Sequence, residues 1–292
     1  MAKAATKFSP SAYEFLKQYI NNASPVGFET SGQKLWLSYI SKYVDTTFTD
    51  PYGTAVGVIN PEAPFKVVIE AHADEISWFV NYINDQGLIY LKRNGGVDHQ
   101  IAPSQRVWIH GKKGPIKAVF GWPAIHTRYS NPDQKEPQPK VDNLTLDCGA
   151  RSKKEVEALG IHVGAVVTYM DGFDELANDF IIGRAFDNRI GGYMIAEVAR
   201  KLKENKKKLP FGLYIVNAVQ EEIGLRGAEM IARRIKPNVA IVTDVTHDTH
   251  TPMINKAIEG DIQCGKGPSL AYAPAIHNKL LQIVEATAKA KK

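Results

Sequence analysis

Hydrophobic and polar residues alternate differently in three stretches of the chain, and each stretch predicts a different kind of element. Up to about residue 72, apolar residues first recur at helical spacing and then form short continuous runs. They predict two helices and two strands: a helix opened by Ser9-Pro10-Ser11, a helix over 31–44, and strands over 55–59 and 66–70. Proline suits the first helical turn, and Ser11 with Glu14 has the spacing of a capping box.

The middle stretch, from about residue 73 to 176, consists of short segments rich in β-branched and aromatic residues. They predict strands over 76–82, 89–92, 106–110 and 116–120. Turns such as 84–87 and 111–114 separate these strands. Residues 131–140 are polar and contain three prolines, so we expect a loop there. Short, regularly spaced strands favour a small β-barrel or sandwich.

After about residue 177 the predicted elements are longer and alternate between helix and strand. They are a helix over 189–205, a strand over 213–219, a helix over 227–235 and a strand over 239–242. This alternation predicts an α/β fold, a mixed sheet with helices on both faces. We therefore expect an α/β domain formed by residues 1–72 and 177–292, with a small β-barrel domain inserted at 73–176.

The composition of 44% hydrophobic and 23% charged residues is ordinary for a soluble globular protein. The net charge of +5 arises partly from two lysine clusters: Lys201, Lys203, Lys206, Lys207 and Lys208, and Lys289, Lys291 and Lys292. No aromatic residues are interleaved with these lysines, so we interpret them as solvated helix ends and expect no nucleic-acid partner.

Three features lead us to expect a cytoplasmic protein. Cys148 and Cys264 have no CxxC spacing, which suits two reduced thiols. The N-terminus lacks the apolar core of a signal peptide. No apolar run approaches the roughly 18 residues that a membrane span needs.

Polar clusters follow the predicted strands and the loop that re-enters the α/β domain. VVIEAHADE contains His72, Asp74 and Glu75, IIGRAFDNR contains Asp187, YIVNAVQEE contains Glu221 and Glu222, and VAIVTDV contains Asp244. Each cluster alone is more typical of surface or turn residues. However, the carboxyl ends of strands in an open α/β sheet meet at one crevice, so we expect these side chains to converge there.

One imidazole and several carboxylates form a ligand set suited to zinc, cobalt or manganese. Two such ions can activate a water molecule and polarise a carbonyl, provided that one carboxylate bridges them. A further carboxylate must stay free to move the proton, and the adjacent Glu221 and Glu222 can divide these tasks. Asp74 can hold the second nitrogen of His72 and fix its tautomer.

The strings AHADEI, FDNRIGG and QEEIGLRGA resemble the tetrahedral-shell aminopeptidases, co-catalytic metallopeptidases that include the glutamyl and deblocking aminopeptidases. The early Pro25-Val26-Gly27-Phe28-Glu29, Gly95-Gly96 and Gln105 are also similar. The resemblance covers the chain from about residue 12 to its last residues. It implies an aminopeptidase that hydrolyses the N-terminal residue of short peptides.

The resemblance also implies a role for each matching residue. His72, Asp187 and Asp244 would hold a first divalent metal ion, zinc or cobalt, and Asp187 would bridge to a second ion that also takes Glu222. Glu221 would be the catalytic base, with Asp74 supporting His72. The inserted domain would mediate dimerisation, and the dimers would assemble into a homo-oligomer of dodecamer type.

At the end of the chain the sequence departs from the pattern of the family. The relatives continue for several dozen residues, with a strand and a histidine that completes the second metal site. His277 is expected at a helix start and His247 and His250 in a loop, so none of them is assigned as a ligand. We therefore expect one tight metal site and low peptidase activity for the 292 residues as given.

Two alternatives accompany the aminopeptidase hypothesis. One is a truncated homologue, non-catalytic or impaired, that acts as an assembly or peptide-binding protein. The other is a glycosidase, because some relatives are labelled endoglucanases. We discount the glycosidase, since that chemistry uses two carboxylates on either side of the glycosidic bond rather than a metal cage.

Overall fold

The computed structural model describes residues 8–128 and 137–291. Residues 131–136 of the predicted proline-containing loop therefore lie outside the described residues. The chain divides into two compact units, Met1–Asp244 and Val245–Lys292.

The described helices of the larger unit flank its strands in sequence. They are α1 (Pro10–Asn21), α2 (Thr30–Ile40), α3 (Ile125–Arg128), α4 (Lys153–Ala158), α5 (Phe186–Glu204) and α6 (Arg226–Ile235). Ser9 caps α1, because its side chain accepts a hydrogen bond from the N–H of Ala12 at 3.3 Å. The predicted capping box of Ser11 and Glu14 is therefore wrong, since Ser11 already lies inside the helix.

The described strands of the same unit belong to one large sheet, one barrel and one short hairpin. In chain order they are β1 (Thr46–Thr49), β2 (Ala55–Ile59), β3 (Lys66–His72), β4 (Ser77–Ile83), β5 (Ile89–Asn94), β6 (Arg106–Gly111), β7 (Gly114–Gly121), β8 (Thr145–Asp147), β9 (Val166–Tyr169), β10 (Asp174–Glu175), β11 (Ile181–Ile182), β12 (Gly212–Ala218) and β13 (Val239–Val242). Single 3₁₀ turns span Val141–Asn143 and Ala177–Asp179.

The large sheet is mixed, with the strand order β1-β2-β12-β3-β13. β1 and β12 each pair antiparallel with β2, whereas β12 and β13 both run parallel to β3. In this register Ala218 at the end of β12 lies beside His72 at the end of β3. The carboxyl ends of three parallel strands therefore meet at one edge.

Each face of this sheet packs against helices, as the alternation of side chains along β12 shows. Leu213 and Ile215 join the core formed with α1, α2 and α5. Tyr214 and Val216 point to the other face, into a core with α6. Successive strand residues face opposite sides, so a strand covered on both faces is apolar throughout. The predicted mixed sheet with helices on both faces is confirmed.

The middle stretch forms a closed antiparallel barrel with the strand order β4-β5-β8-β7-β6-β9. Its interior is filled by apolar side chains, with Trp78 and Phe120 in edge-to-face contact at a centroid distance of 5.0 Å. A barrel, and not a sandwich, is therefore the outcome for this stretch. The division of the chain at residues 73 and 176 stays a prediction.

The smaller unit contains two described helices, α7 (Lys256–Glu259) and α8 (Asn278–Ala290). His277 caps α8, because its ring nitrogen accepts from the N–H of Leu280 at 3.4 Å. The predicted helix start at His277 is confirmed. Across both described parts of the chain, no helix combines the length and apolar character needed to cross a bilayer.

Candidate active site

The centre of the candidate site is His72, the last residue of β3. Its ring is buried, with 4% of the side chain exposed, and its Nε2 lies 3.0 Å from Asp187 Oδ1. The same nitrogen lies 3.7 Å from Glu221 Oε2 and 3.9 Å from Asp244 Oδ1. Nδ1 faces Asp74 Oδ1 at 3.5 Å. The structure thus brings the imidazole and carboxylates from four separate positions together.

Two sets of three side chains could each hold a metal ion. In each set the ligand atoms lie within 4.8 Å of one another: His72 with Asp187 and Asp244, and His72 with Glu221 and Glu222. The first set contains the ligands expected for the first ion. The second set shows that Glu221, expected to stay free as the base, also lies at ligand distance.

The electrostatics of the cluster fit a cation. Burial alone would lower the pKa of His72, but the surrounding carboxylates outweigh it and raise the pKa to about 10. Burial and then the charge of Asp187 raise the pKa of Glu222 to about 7. No lysine or arginine in the described ranges pairs with Asp187, Glu221 or Glu222. A divalent cation would balance these charges.

Asp74 connects the histidine to the two glutamates. It is fully buried, and its two oxygens accept from the backbone N–H groups of Glu221 at 3.0 Å and Glu222 at 3.1 Å. These amides lie in the loop that follows β12. The sequence predicted the contact of Asp74 with His72 but not these two bonds, since backbone partners leave no signal in residue spacing.

A buried ion cluster holds the neighbouring loops together. Glu75 pairs with Arg189 at 3.0 Å and with Arg184, and its Oε1 also accepts from the N–H of Ser24 at 2.7 Å. Arg189 in turn donates to backbone carbonyls at the end of α1, including that of Tyr19 at 2.7 Å. Glu75 follows Asp74 and Arg189 lies two residues after Asp187, so this cluster fixes both ligand loops.

Two further residues support the ligands, and both lie in strings that resemble the family, although the sequence analysis assigned neither of them a role. Asn188 donates to the carbonyl of Thr243 at 2.6 Å, which ties the start of α5 to the end of β13. Gly95, in the loop after β5, has a φ of +83°, and a Cβ there would lie 3.2 Å from Glu222 Cβ. The barrel loop therefore packs closely against the glutamate, and both the positive φ and the tight space favour glycine at this position.

The candidate site is open to solvent on one side. The side chains of Asp187 and Asp244 are 56% and 51% exposed, whereas that of Glu221 is 27% exposed. Imidazole and carboxylate groups therefore line an accessible edge of the sheet, with Asp74 and Glu75 buried behind them. This arrangement can bind a cation and present a free carboxylate to a substrate.

Known proteins are similar to this chain in fold and in sequence. Residues 53–292 match the family described as M42 glutamyl aminopeptidase. The chain is 31% identical over 280 residues to the lysyl aminopeptidase of Pyrococcus furiosus, covering 95% of this chain and 78% of that protein.

Two solved structures are similar over 96% of this chain. The TET aminopeptidase of Thaumarchaeota archaeon SCGC AB-539-E09 matches with a TM-score of 0.91 and 27% identity, over 79% of its own chain. The aminopeptidase APDkam598 of Desulfurococcus kamchatkensis matches with a TM-score of 0.86 and 30% identity, over 77% of its own chain.

These matches define the class of the protein, which is an aminopeptidase and thus a hydrolase of peptide bonds. The chain belongs to the M42 glutamyl aminopeptidase family. The resemblance carried by AHADEI, FDNRIGG and QEEIGLRGA is therefore confirmed. Peptidases of this family are metal-dependent, and the cluster around His72 contains side chains suited to hold an ion.

Proposed function

We propose that this enzyme removes the N-terminal residue of short peptides with the help of two divalent metal ions, zinc or cobalt. The observation that supports this most is the meeting of one imidazole with two pairs of carboxylates, since the ligand atoms of each set of three lie within 4.8 Å of one another. Imidazole and carboxylate together suit these ions better than calcium, which takes oxygen ligands.

In this proposal His72, Asp187 and Asp244 would hold the first ion. Asp187 would be shared with a second ion, which Glu222 would also hold. When bound, the two ions polarise the scissile carbonyl and lower the pKa of a water molecule. Glu221 remains free to act on protons.

Glu221 is the general base of the proposed reaction. It accepts a proton from the attacking water and passes it to the leaving amine. Its carboxylate is partly exposed and lies 3.7 Å from His72, so it can reach both the ligand cluster and a bound peptide. Asp74 keeps Glu221 and Glu222 in place through their amides and faces the far nitrogen of His72.

The substrate class follows from what the relatives share. One relative is named for lysyl substrates and the family for glutamyl substrates. Because the two names differ in the N-terminal residue, only the common chemistry is extended to this chain. That chemistry is hydrolysis of the first peptide bond next to a free N-terminus.

The test is Glu221→Gln, assayed on amino-acid arylamides together with elemental analysis. We expect kcat to fall about 10²–10⁴-fold, while the metal content per chain stays that of the parent. Glu222→Gln is the matched control, because it should lose metal as well as activity. A Glu221→Gln enzyme that keeps half its activity contradicts the base assignment, and one that also loses its metal indicates that the two glutamates have exchanged roles.

We also propose that residues 73–176 form a separate domain through which the chains dimerise into a larger homo-oligomer. The barrel and its loops expose large apolar side chains, among them Tyr82 (53%), Ile101 (61%) and Val163 (63%). Exposed apolar side chains mark association surfaces where they form a contiguous patch. The similarity to a protein named a TET aminopeptidase supports the same proposal.

We place the enzyme in the cytoplasm. Cys148 and Cys264 are both free thiols, and Cys264 is exposed. Free exposed thiols suit a reducing compartment.

A further inference from the structure

Glu29 is a buried carboxylate outside the proposed ligand set. It lies directly before α2, and 5% of the residue is exposed. Its Oε1 accepts from the N–H groups of Gly27 at 2.8 Å and Gln220 at 3.2 Å. No lysine or arginine of the described residues pairs with it. Burial raises the pKa of Glu29, and the nearby charge of Asp74 adds to the rise, while the amides oppose it.

Gln220, which donates its N–H to Glu29, lies next to the proposed base in the chain. Gln220 immediately precedes Glu221, and its φ of +55° lies in the left-handed region. This conformation is unfavourable for a residue with a side chain and persists only where its surroundings impose it. The hydrogen bond from Gln220 to Glu29 fixes the orientation of the peptide group that leads into the glutamate pair.

Two buried carboxylates, those of Asp74 and Glu29, hold the loop that follows β12. Asp74 accepts from the N–H groups of Glu221 and Glu222, and Glu29 accepts from that of Gln220. Three consecutive amides therefore bind two buried carboxylates. Hydrogen bonds to a charged acceptor are roughly twice as strong as those to a neutral acceptor. The direction of the Glu221 side chain depends on these bonds.

We propose that Glu29 is a positioning residue, whose carboxylate holds the N–H of Gln220 and thereby sets the direction in which Glu221 enters the site. This inference rests on the proposed role of Glu221 as the base. Positioning requires an acceptor atom at the right distance, whereas an electrostatic role would require the negative charge. The two roles predict different effects for two conservative substitutions.

Glu29→Gln keeps the length of the side chain and an oxygen acceptor but removes the charge. Glu29→Asp keeps the charge but shortens the side chain by one methylene, so the bond to Gln220 is lost. We expect Glu29→Asp to lower kcat about 10–100-fold, with KM and metal content like those of the parent. Glu29→Gln should retain more of the turnover than Glu29→Asp.

The experiment measures kcat, KM, metal content and thermal midpoint for the full chain loaded with zinc. Tyr39→Phe is the control for a merely structural effect, because Tyr39 lies in α2 and donates a buried hydrogen bond to Glu197, away from Gln220. We expect Tyr39→Phe to lower the thermal midpoint and to leave kcat near the parental value.

Three results would overturn the positioning role. They are parental kcat in Glu29→Asp, a lower kcat in Glu29→Gln than in Glu29→Asp, and an equal loss of kcat in Tyr39→Phe. Glu221→Gln belongs in the same series. If it is inactive while Glu29→Asp is normal, the inference about Glu29 fails and the base assignment stands. If Glu221→Gln is active, the base assignment itself fails.

Discussion

Replacing Glu75 with glutamine should destabilise the fold strongly, although Glu75 is not a proposed ligand. Its side chain is 2% exposed and that of Arg189 is 0% exposed, so the pair is fully removed from water. Arg184, 11% exposed, is the second cation on the same carboxylate. Removing the negative charge leaves two guanidinium groups buried or nearly buried without a counter-charge.

The expected loss of stability follows from the burial of these charged groups. Breaking a buried ion pair by removing one partner costs about 3–5 kcal/mol. A glutamine keeps an oxygen for the N–H of Ser24, so the loss comes from the charge and not from the shape. At about 2–4 °C per kcal/mol, the thermal midpoint should fall by roughly 6–20 °C.

The difference in stability between the parent protein and Glu75→Gln should depend on pH in a defined direction. Burial alone would raise the pKa of Glu75, but Arg189 and Arg184 outweigh it and hold the pKa below its usual range. A lowered pKa in the folded state contributes stability that is complete above the unfolded value, about 4.3. The contribution is lost as the pH falls through the folded value, so parent and variant should converge only in that acidic range.

The assay is urea denaturation of both proteins in the presence of a chelator, so that lost metal binding does not add to the difference. Glu229→Gln is the matched control, because Glu229 forms an exposed pair with Arg233 at 2.6 Å on α6. Exposed pairs contribute about 0–1 kcal/mol. If Glu75→Gln shifts the free energy of unfolding no more than Glu229→Gln does, the reasoning about the buried cluster is refuted.

Two further predictions concern the ligands and the barrel. Asp187→Ala should cause the largest loss of metal of any single change, whereas Asp74→Ala should weaken binding about 10–100-fold through ligand orientation. Elemental analysis ranks the two, and equal losses would contradict the bridging role. Deleting residues 76–175 and closing the gap with a short Gly-Ser linker should give a smaller assembly, and an unchanged size in light scattering would show that the contacts lie elsewhere.

Periodicity in the sequence predicted the elements well where a single pattern dominated. The strands predicted at 55–59 and 239–242 have those bounds in the structure. The second helix ends at Ile40, short of the predicted residue 44, because the chain turns there and Tyr43 donates to the carbonyl of Ile40. Val44 is buried in the core all the same, so its apolar character extended the helical pattern beyond the helix.

The hydrophobic periodicity of the sequence does not predict the order of the strands in the sheet. β3 lies between β12 and β13, although the barrel and α5 separate β3 from β12 in the chain. The sequence could predict that His72 and Asp244 follow strands, but not that these strands are neighbours. The same limit applies to Glu29 and Gln220, which are 191 residues apart. Contacts at such separations are set by tertiary packing, which spacing along the chain does not encode.

The last prediction concerns the metal itself, and it follows from the charge of the site. Asp187, Glu221 and Glu222 converge on a single imidazole, so their mutual repulsion opposes folding until a cation binds. An ion that binds only the folded state at 100 times its dissociation constant stabilises it by about 2.7 kcal/mol. The thermal midpoint should then rise by roughly 5–11 °C on addition of zinc and fall back with a chelator. Asp187→Ala should lose most of this shift, because one carboxylate of the cluster is gone. A parent protein that melts at the same temperature with zinc and with chelator would mean that the convergence of these carboxylates does not create a metal site.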